Sequence, residues 1–456
     1  MSLGNPFARW DLSRCSRLRW LAWIALALLG VKLLWLIILK DLPFCGDEGI
    51  YFRESAYFFR YYFTTYDFWA PLQTAFLAAI RLVAGDQAAL WARLIQLLVH
   101  TVTGFIVYLL GRELDDERTG LLAGALYLAL PEPVSFAYLL FSETWSSFWF
   151  FGSICCYLLS IRRGPAALMA AAGFSFGIAA LFRSINLYFL PLYLCHLGYF
   201  DRRPAKRRLL AATLFLVFAA LPISVQTYKN YTVGGHFLLI NTNGPKNLWV
   251  SHNVFDPPCW DYRSDSNYAR MKQAGYPGAR PLIQTGIPSV DTRLELKNAL
   301  AFMAAHPGLT IRRSLNKIRS FFAPNLFIFR NFEKAGAGTF IKRRLDSKYV
   351  RFVLLIPYLL MLALALPGLV FCRDRATRWL FLILILYHLG FTTFFSAQSR
   401  YRMAVVPVLA VFMGWSIAHW SDWRHQKSRV RWALVIAGWI LMLIALITPL
   451  RRVLSI

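Results

Sequence analysis

The chain of 456 residues is poor in charge and poorer still in acid: only 16% of residues are Asp, Glu, Lys or Arg, and 23 acidic residues face 50 basic ones. A soluble chain of this length carries nearer a quarter charged residues, so a water-soluble globular enzyme is excluded. No GxxxxGK[ST] loop, no HExxH and no CxxC occur. P-loop phosphate binding, zincin chemistry and a dithiol redox centre therefore lack their residues. The eight histidines are scattered, and His236, His252 and His306 lack ligand spacing, so no metal and no cofactor is expected. Cysteines number seven. Cys155, Cys156, Cys195 and Cys372 fall in or near apolar runs, where a small buried hydrophobe is the ordinary role. Cys45 and Cys259 fall in segments read as external, where a disulfide and two free thiols are both open.

What is abundant is apolar sequence, 57% of the chain. Runs of roughly 17 to 24 residues recur, each long enough at 1.5 Å per residue to cross a ~30 Å hydrocarbon core. The reading is an all-α polytopic membrane protein with about eleven spans: 21–39, 89–110, 119–139, 143–161, 166–182, 185–200, 208–227, 352–372, 378–396, 403–420 and 431–450. The first run is long and no small-residue cleavage site follows it, so a cleaved signal peptide is not expected. Arg9, Arg14, Arg17 and Arg19 keep the N-terminus inside, and the turns GRELDDER, IRRGP, DRRPAKRR, CRDRATR and SDWRHQKSRVR share that side. The net charge of +27 follows from these loops and from contact with anionic lipid headgroups, not from nucleic acid. Three regions result: an N-terminal transmembrane module 1–227, an external loop domain 228–350, and C-terminal spans 351–456. Within the first, the external loop 41–88 holds a surface helix, with Tyr51, Ala56, Phe58, Phe59 and Tyr62 on one face, and a second interfacial or re-entrant helix at 71–84.

The chemistry-bearing residues gather on the outer side. Asp47 and Glu48 are adjacent at the mouth of the first span, followed by Tyr51 and Arg53. A carboxylate at a membrane surface is costly unless it is wet, paired or working, and one of the two can serve as a general base. Glu143 follows Ser142 at the outer end of a span, where an acid also suits a helix N-terminus. Arg183 lies alone between apolar runs, Arg400 and Arg402 flank Tyr401, and Lys246 precedes Asn247 in an Asn- and Gly-rich turn. Arginine takes phosphate oxygens with a bidentate fork and lysine takes them as a point charge.

In this order, GDEGIYFRESAYF, LDDERTGLLAGALYLALPEPVSFAYLLFSETW, NTNGPKNLWVSHN and SRYRMAVVPVLAVFMG resemble the GT-C superfamily of membrane glycosyltransferases, closest to its protein O-mannosyltransferase and aminoarabinose (lipid A) transferase branch. The resemblance spans residues 20 to about 420. It implies a GT-C-like bundle and transfer of a sugar from a polyprenyl-phosphate donor to an envelope acceptor (lipid, glycan or protein hydroxyl), with inversion, on the periplasmic face of a bacterial inner membrane. It implies Asp47 as general base, Glu48 as its support and Glu143 as a further acid. Arg53, Arg183, Lys246, Arg400 and Arg402 become donor-phosphate ligands, and Tyr51, Asn247 and Tyr401 cavity residues. The chain departs from the family in lacking an Asp-x-Asp, which points away from the metal-dependent oligosaccharyltransferase mechanism, and in having Ala70-Pro71-Leu72 where the family has Pro-Pro-Leu. A transporter or flippase of a polyisoprenoid-linked or anionic substrate is the alternative. It would place charges near mid-membrane on broken helices.

Overall fold

The computed structural model describes residues 16–65, 69–235, 237–252, 288–395 and 398–454. Cys259, the proposed partner of Cys45, and His236 lie outside them; Cys45 itself is buried. Among the described residues no strand occurs. The helices are α1 (Ser16–Ile38), α2 (Asp47–Glu54), α3 (Phe58–Tyr61), α4 (Leu72–Ala84), α5 (Ala88–Leu114), α6 (Glu117–Ala129), α7 (Pro131–Tyr138), α8 (Glu143–Arg163), α9 (Ala166–Phe182), α10 (Leu190–Phe200), α11 (Ala205–Gly234), α12 (Asn243–Ser251), α13 (Pro288–Ala305), α14 (Pro307–Phe321), α15 (Phe329–Lys334), α16 (Lys348–Phe371), α17 (Arg375–Phe394), α18 (Val406–Ala418), α19 (Trp420–Arg424) and α20 (Arg429–Leu454).

Seven helices are long and apolar enough to cross a membrane, or eight if the bent pair α6–α7 counts as one span. Eleven were expected, and the differences have local causes. Leu130 precedes Pro131, whose ring disfavours helical backbone at the residue before it. Leu130 is extended (φ −61°, ψ 127°), and the expected span 119–139 bends there by 51°. The expected span 185–200 is a 3₁₀ turn, Ser184–Phe189, followed by the 11-residue α10. Helices α9 and α18 are apolar but only 17 and 13 residues long. The surface helix expected over 51–62 is divided into α2 and the single turn α3.

Around the centre, α5 packs on α6, α6 on α18 and α18 on α16, while α8, α9 and α11 form a second stack joined to the first through α5–α8. The α9–α11 contact rests on two glycines. A Cβ at Gly173 would lie 2.2 Å from the Phe215 carbonyl oxygen, and one at Gly177 2.4 Å from that of Ala219. Small residues let membrane helices approach this closely. Ser175 between them completes a G-x-S-x-G spacing, but inside a continuous helix rather than at the strand-to-helix turn that exposes a hydrolase nucleophile. The outer flanks of α1, α11 and α20 leave Trp20, Trp23, Ile37, Leu209, Val225 and Leu441 exposed, as helices facing lipid would.

Candidate active site

Gly46 starts the site. Its φ of 68° lies in the left-handed region, which glycine enters without the Cβ penalty. That turn lets the chain leave α1 and begin α2 at Asp47. Adjacent helical residues diverge by about 100°, so Asp47 and Glu48 leave the first turn in different directions and meet different partners.

Glu48 is fully buried. Its Oε1 accepts the Cys45 backbone N–H (2.7 Å) and the Asn331 side-chain amide, and its Oε2 accepts the Leu140 N–H (3.1 Å). Asn331 also donates to the Pro43 carbonyl (2.8 Å). Burial pushes the Glu48 carboxyl up, while these hydrogen bonds and nearby Arg93 oppose it. Glu48 thus ties the first external loop to the α7–α8 turn and to α15. It is a structural staple, with its oxygens occupied by protein donors.

Asp47 turns to the other acids and cations. It pairs with Arg400 at 2.6 Å. Arg400 Nε lies 3.9 Å from Glu143, and Glu143 pairs in turn with Arg183. Both guanidinium groups face the Tyr401 ring, at 5.4 Å for Arg183 and 5.3 Å for Arg400. Arg400 is further walled by Phe141 (5.3 Å) and Phe327 (5.7 Å). Burial would lower the Arg400 guanidinium, but Asp47, Tyr401 and Glu143 hold it well above its usual range. The buried Tyr51 phenol shares this field. Burial raises it well above its usual range and Asp47 adds to that, while Arg400 and Arg183 act against it. Two buried atoms in the cluster, Glu143 Oε2 and Arg400 Nε, form no hydrogen bond.

The four charged residues come from the start of α2, the start of α8, the end of α9 and the 3₁₀ turn Ser399–Ala404. Each sits where a helix begins or ends, so the cluster forms at one end of the bundle. Arg400 comes from the C-terminal segment, so residues 1–227 do not by themselves assemble the cluster.

Other expected residues sit elsewhere. Arg402 is buried, and its Nε contacts both Glu132 oxygens (2.6 and 2.8 Å). Its remaining nitrogens donate to the carbonyls of Ala323 and Asn325 (2.8 Å for the latter), and its plane covers the Tyr358 ring at 4.2 Å. This arginine, expected as a phosphate ligand, is instead a tie between α7, the end of α14 and the Ser399–Ala404 turn. Arg53 is exposed, later along α2. Lys246 and Asn247 lie on α12. Lys246 is half-buried; burial lowers its ammonium, and Glu295 of α13 opposes that.

Sequence reading missed Glu132, Asn331 and Arg93. Glu132 carried a signal, being an acid inside an apolar run. Asn331 carried none. Arg93, which caps the end of the first span by donating to the carbonyls of Leu39, Lys40 (2.7 Å) and Leu42 (2.9 Å), is one more arginine in a basic chain. A group able to hold a cation, Asp115, Asp116 and His419, stands at the opposite end of α5 and α18, with His419 2.5 Å from Asp115.

No family model and no curated protein matches the chain. Among solved structures, the apo oligosaccharyltransferase of the archaeon Archaeoglobus fulgidus aligns over 97% of this chain and 56% of its own length, with TM-score 0.51 and 16% identity. The same archaeal enzyme in complex with an inhibitory peptide and a dolichol-phosphate aligns over 94% of this chain and 55% of its own, with TM-score 0.49 and 16% identity. The chain spans little more than half the length of that enzyme. It shares the fold of a membrane oligosaccharyltransferase.

Proposed function

We propose that the protein is a membrane glycosyltransferase of the GT-C type. It moves a sugar from a polyprenyl-phosphate donor to a hydroxyl of an envelope lipid, glycan or protein, on the periplasmic side of a bacterial inner membrane. The observation that carries this reading is the single cluster in which Asp47 and Glu143 interleave with Arg183 and Arg400. The fold shared with an oligosaccharyltransferase supports it. Charges gathered at helix ends on one rim suit an enzyme better than a transporter, which would carry them near mid-membrane.

In the reaction, the acceptor oxygen attacks the anomeric carbon while the bond from that carbon to the phosphate oxygen breaks. The phosphate leaves with the bonding pair, and the acceptor proton passes to Asp47. A single displacement inverts the anomeric centre. The leaving group already carries charge, so cations stabilise its departure more than a proton would. Arg183 and Arg400 fill that role, with Lys246 and Arg53 as outlying contacts for the donor. Glu143 keeps the arginines oriented, Tyr51, Asn247 and Tyr401 line the cavity, and Glu48 holds the loop that carries Asp47. Residues 1–227 would supply most of the catalytic module and 351–456 its Arg400 edge.

The test uses purified full-length protein in nanodiscs with a panel of radiolabelled polyprenyl-phosphate sugars and envelope extract. Transfer is expected, and Asp47→Asn should lower its rate by about 10² to 10⁴, the range of a lost general base. Transfer at the wild-type rate in that variant removes the base assignment. No transfer with any donor, together with movement of a carrier lipid across vesicles, replaces the enzyme with a flippase.

A further inference from the structure

The same cluster holds its own counter-ions, and their arrangement implies an order of events. Two arginines buried without compensation would be severely penalised, because unpaired charge in a low-dielectric site costs several kcal/mol per ion. The two carboxylates meet that need in the unliganded protein, Asp47 on Arg400 and Glu143 on Arg183. The pairing also disables the chemistry. The Asp47 oxygen nearest Arg400 is occupied by a guanidinium 2.6 Å away, and the guanidinium is occupied by the carboxylate.

The four residues differ in freedom. The Glu143 side chain is 2% exposed and that of Arg400 10%, while Arg183 reaches 18% and Asp47 22%. Arg400 is held between the rings of Phe141, Phe327 and Tyr401. Asp47 lies in the first turn of the short helix α2, behind the Gly46 turn. The most exposed member of the cluster is therefore the carboxylate, and the most enclosed cation is its partner. Glu143 keeps a buried oxygen, Oε2, with no hydrogen bond, so it can remain as a counter-charge when the outer pair opens.

We infer that a phosphate monoester exchanges for the Asp47 carboxylate on Arg400, and that this exchange, which rests on the function proposed above, is what frees Asp47 to accept a proton. A phosphate presents more oxygens to a guanidinium fork than one carboxylate does, so it displaces Asp47 while Glu143 stays. The base is thereby idle until the donor is seated, and donor binding precedes productive acceptor binding. The recognised chemistry is the phosphate group, whether carried by a lipid or free.

The exchange makes an unusual demand: neutralising the base must improve phosphate binding. Binding of a polyprenyl phosphate, and separately of inorganic phosphate, is measured by titration calorimetry on full-length protein in nanodiscs for the wild type, Asp47→Asn, Asp47→Ser and, as control, Asp41→Asn, an exposed acid at the same mouth. Both Asp47 variants should bind the polyprenyl phosphate about tenfold more tightly, with Asp41→Asn unchanged. A similar gain for inorganic phosphate assigns the exchange to the phosphate alone. A gain confined to the lipid assigns it to the carrier. Unchanged or weaker binding in folded Asp47→Asn and Asp47→Ser overturns the exchange, and so does an equal gain in Asp41→Asn, which would reduce the effect to overall charge. Transfer assays on the same variants separate the two readings. Tighter binding with undiminished transfer keeps the exchange and removes Asp47 as base. Lost transfer with unchanged binding does the reverse.

Discussion

Replacing Arg402 by Gln tests whether this arginine ties the structure or holds the donor. Its guanidinium contacts both oxygens of Glu132 and reaches the carbonyls of Ala323 and Asn325, with side-chain exposures of 2% and 4% for the pair. Removing one member of a buried ion pair leaves the other charge uncompensated, at about 3–5 kcal/mol. The orphaned carbonyls add to this, so the upper half of that range is expected. At roughly 2–4 °C per kcal/mol for a large domain, the unfolding midpoint in detergent should fall by about 10 °C. A second comparison isolates the pair. Glu132→Leu combined with Arg402→Met removes both charges and fills their space, and should recover most of the loss, because apolar replacement of a buried pair is often neutral. Differential scanning fluorimetry on the four proteins completes the cycle. If Arg402→Gln melts within about 2 °C of wild type yet loses polyprenyl-phosphate binding, the tie is refuted and Arg402 is a donor ligand after all.

Three further outcomes follow from the same geometry. Gly46→Ala should cost about 1 kcal/mol through its left-handed φ alone, read as a small drop in melting temperature and a larger loss of transfer as Asp47 shifts. Glu48→Gln should cost about 2–3 kcal/mol, because an amide NH₂ then faces three N–H donors in a buried site; Asn331→Asp should likewise destabilise by placing a second acid there. Glu295 is pushed up to about 7 by burial, with Lys246 opposing and Asp291 adding. Its folded form keeps a proton that the unfolded chain releases near the ordinary value of 4.5. That contribution is full below about pH 4.5 and is lost as pH rises through 7, and Glu295→Gln should flatten this part of the stability profile.

The membrane class was legible in the long apolar runs, and the outer gathering of charge in the alternation of basic turns with acid-bearing loops. Spans were counted too generously where periodicity cannot see a break. Pro131 was visible, but whether it kinks or ends a helix depends on what packs against it, and the 3₁₀ turn after Arg183 has no compositional mark. Within the site, adjacency in sequence made Asp47 and Glu48 look like partners, whereas the helix sends them to different neighbours. Arg400 and Arg402 looked equivalent for the same reason, yet one faces Asp47 and the other Glu132. Which of two near neighbours works and which supports is a matter of side-chain direction, fixed only by long-range contacts such as Asn331 to Glu48.

Arg400 is made late and Asp47 early, and this bears on biogenesis. During synthesis α2, α8 and α9 are in place while the turn that supplies Arg400 is still within the ribosome. Until it arrives, Asp47 has no arginine across from it, and the aromatic wall of Phe327 is not yet in position. The nascent protein therefore carries an unneutralised acid beside a half-built cleft, a state that an assembly factor or insertase would be expected to shelter. Docking of the final third of the chain becomes the step that switches the cleft from exposed intermediate to closed, charge-balanced enzyme.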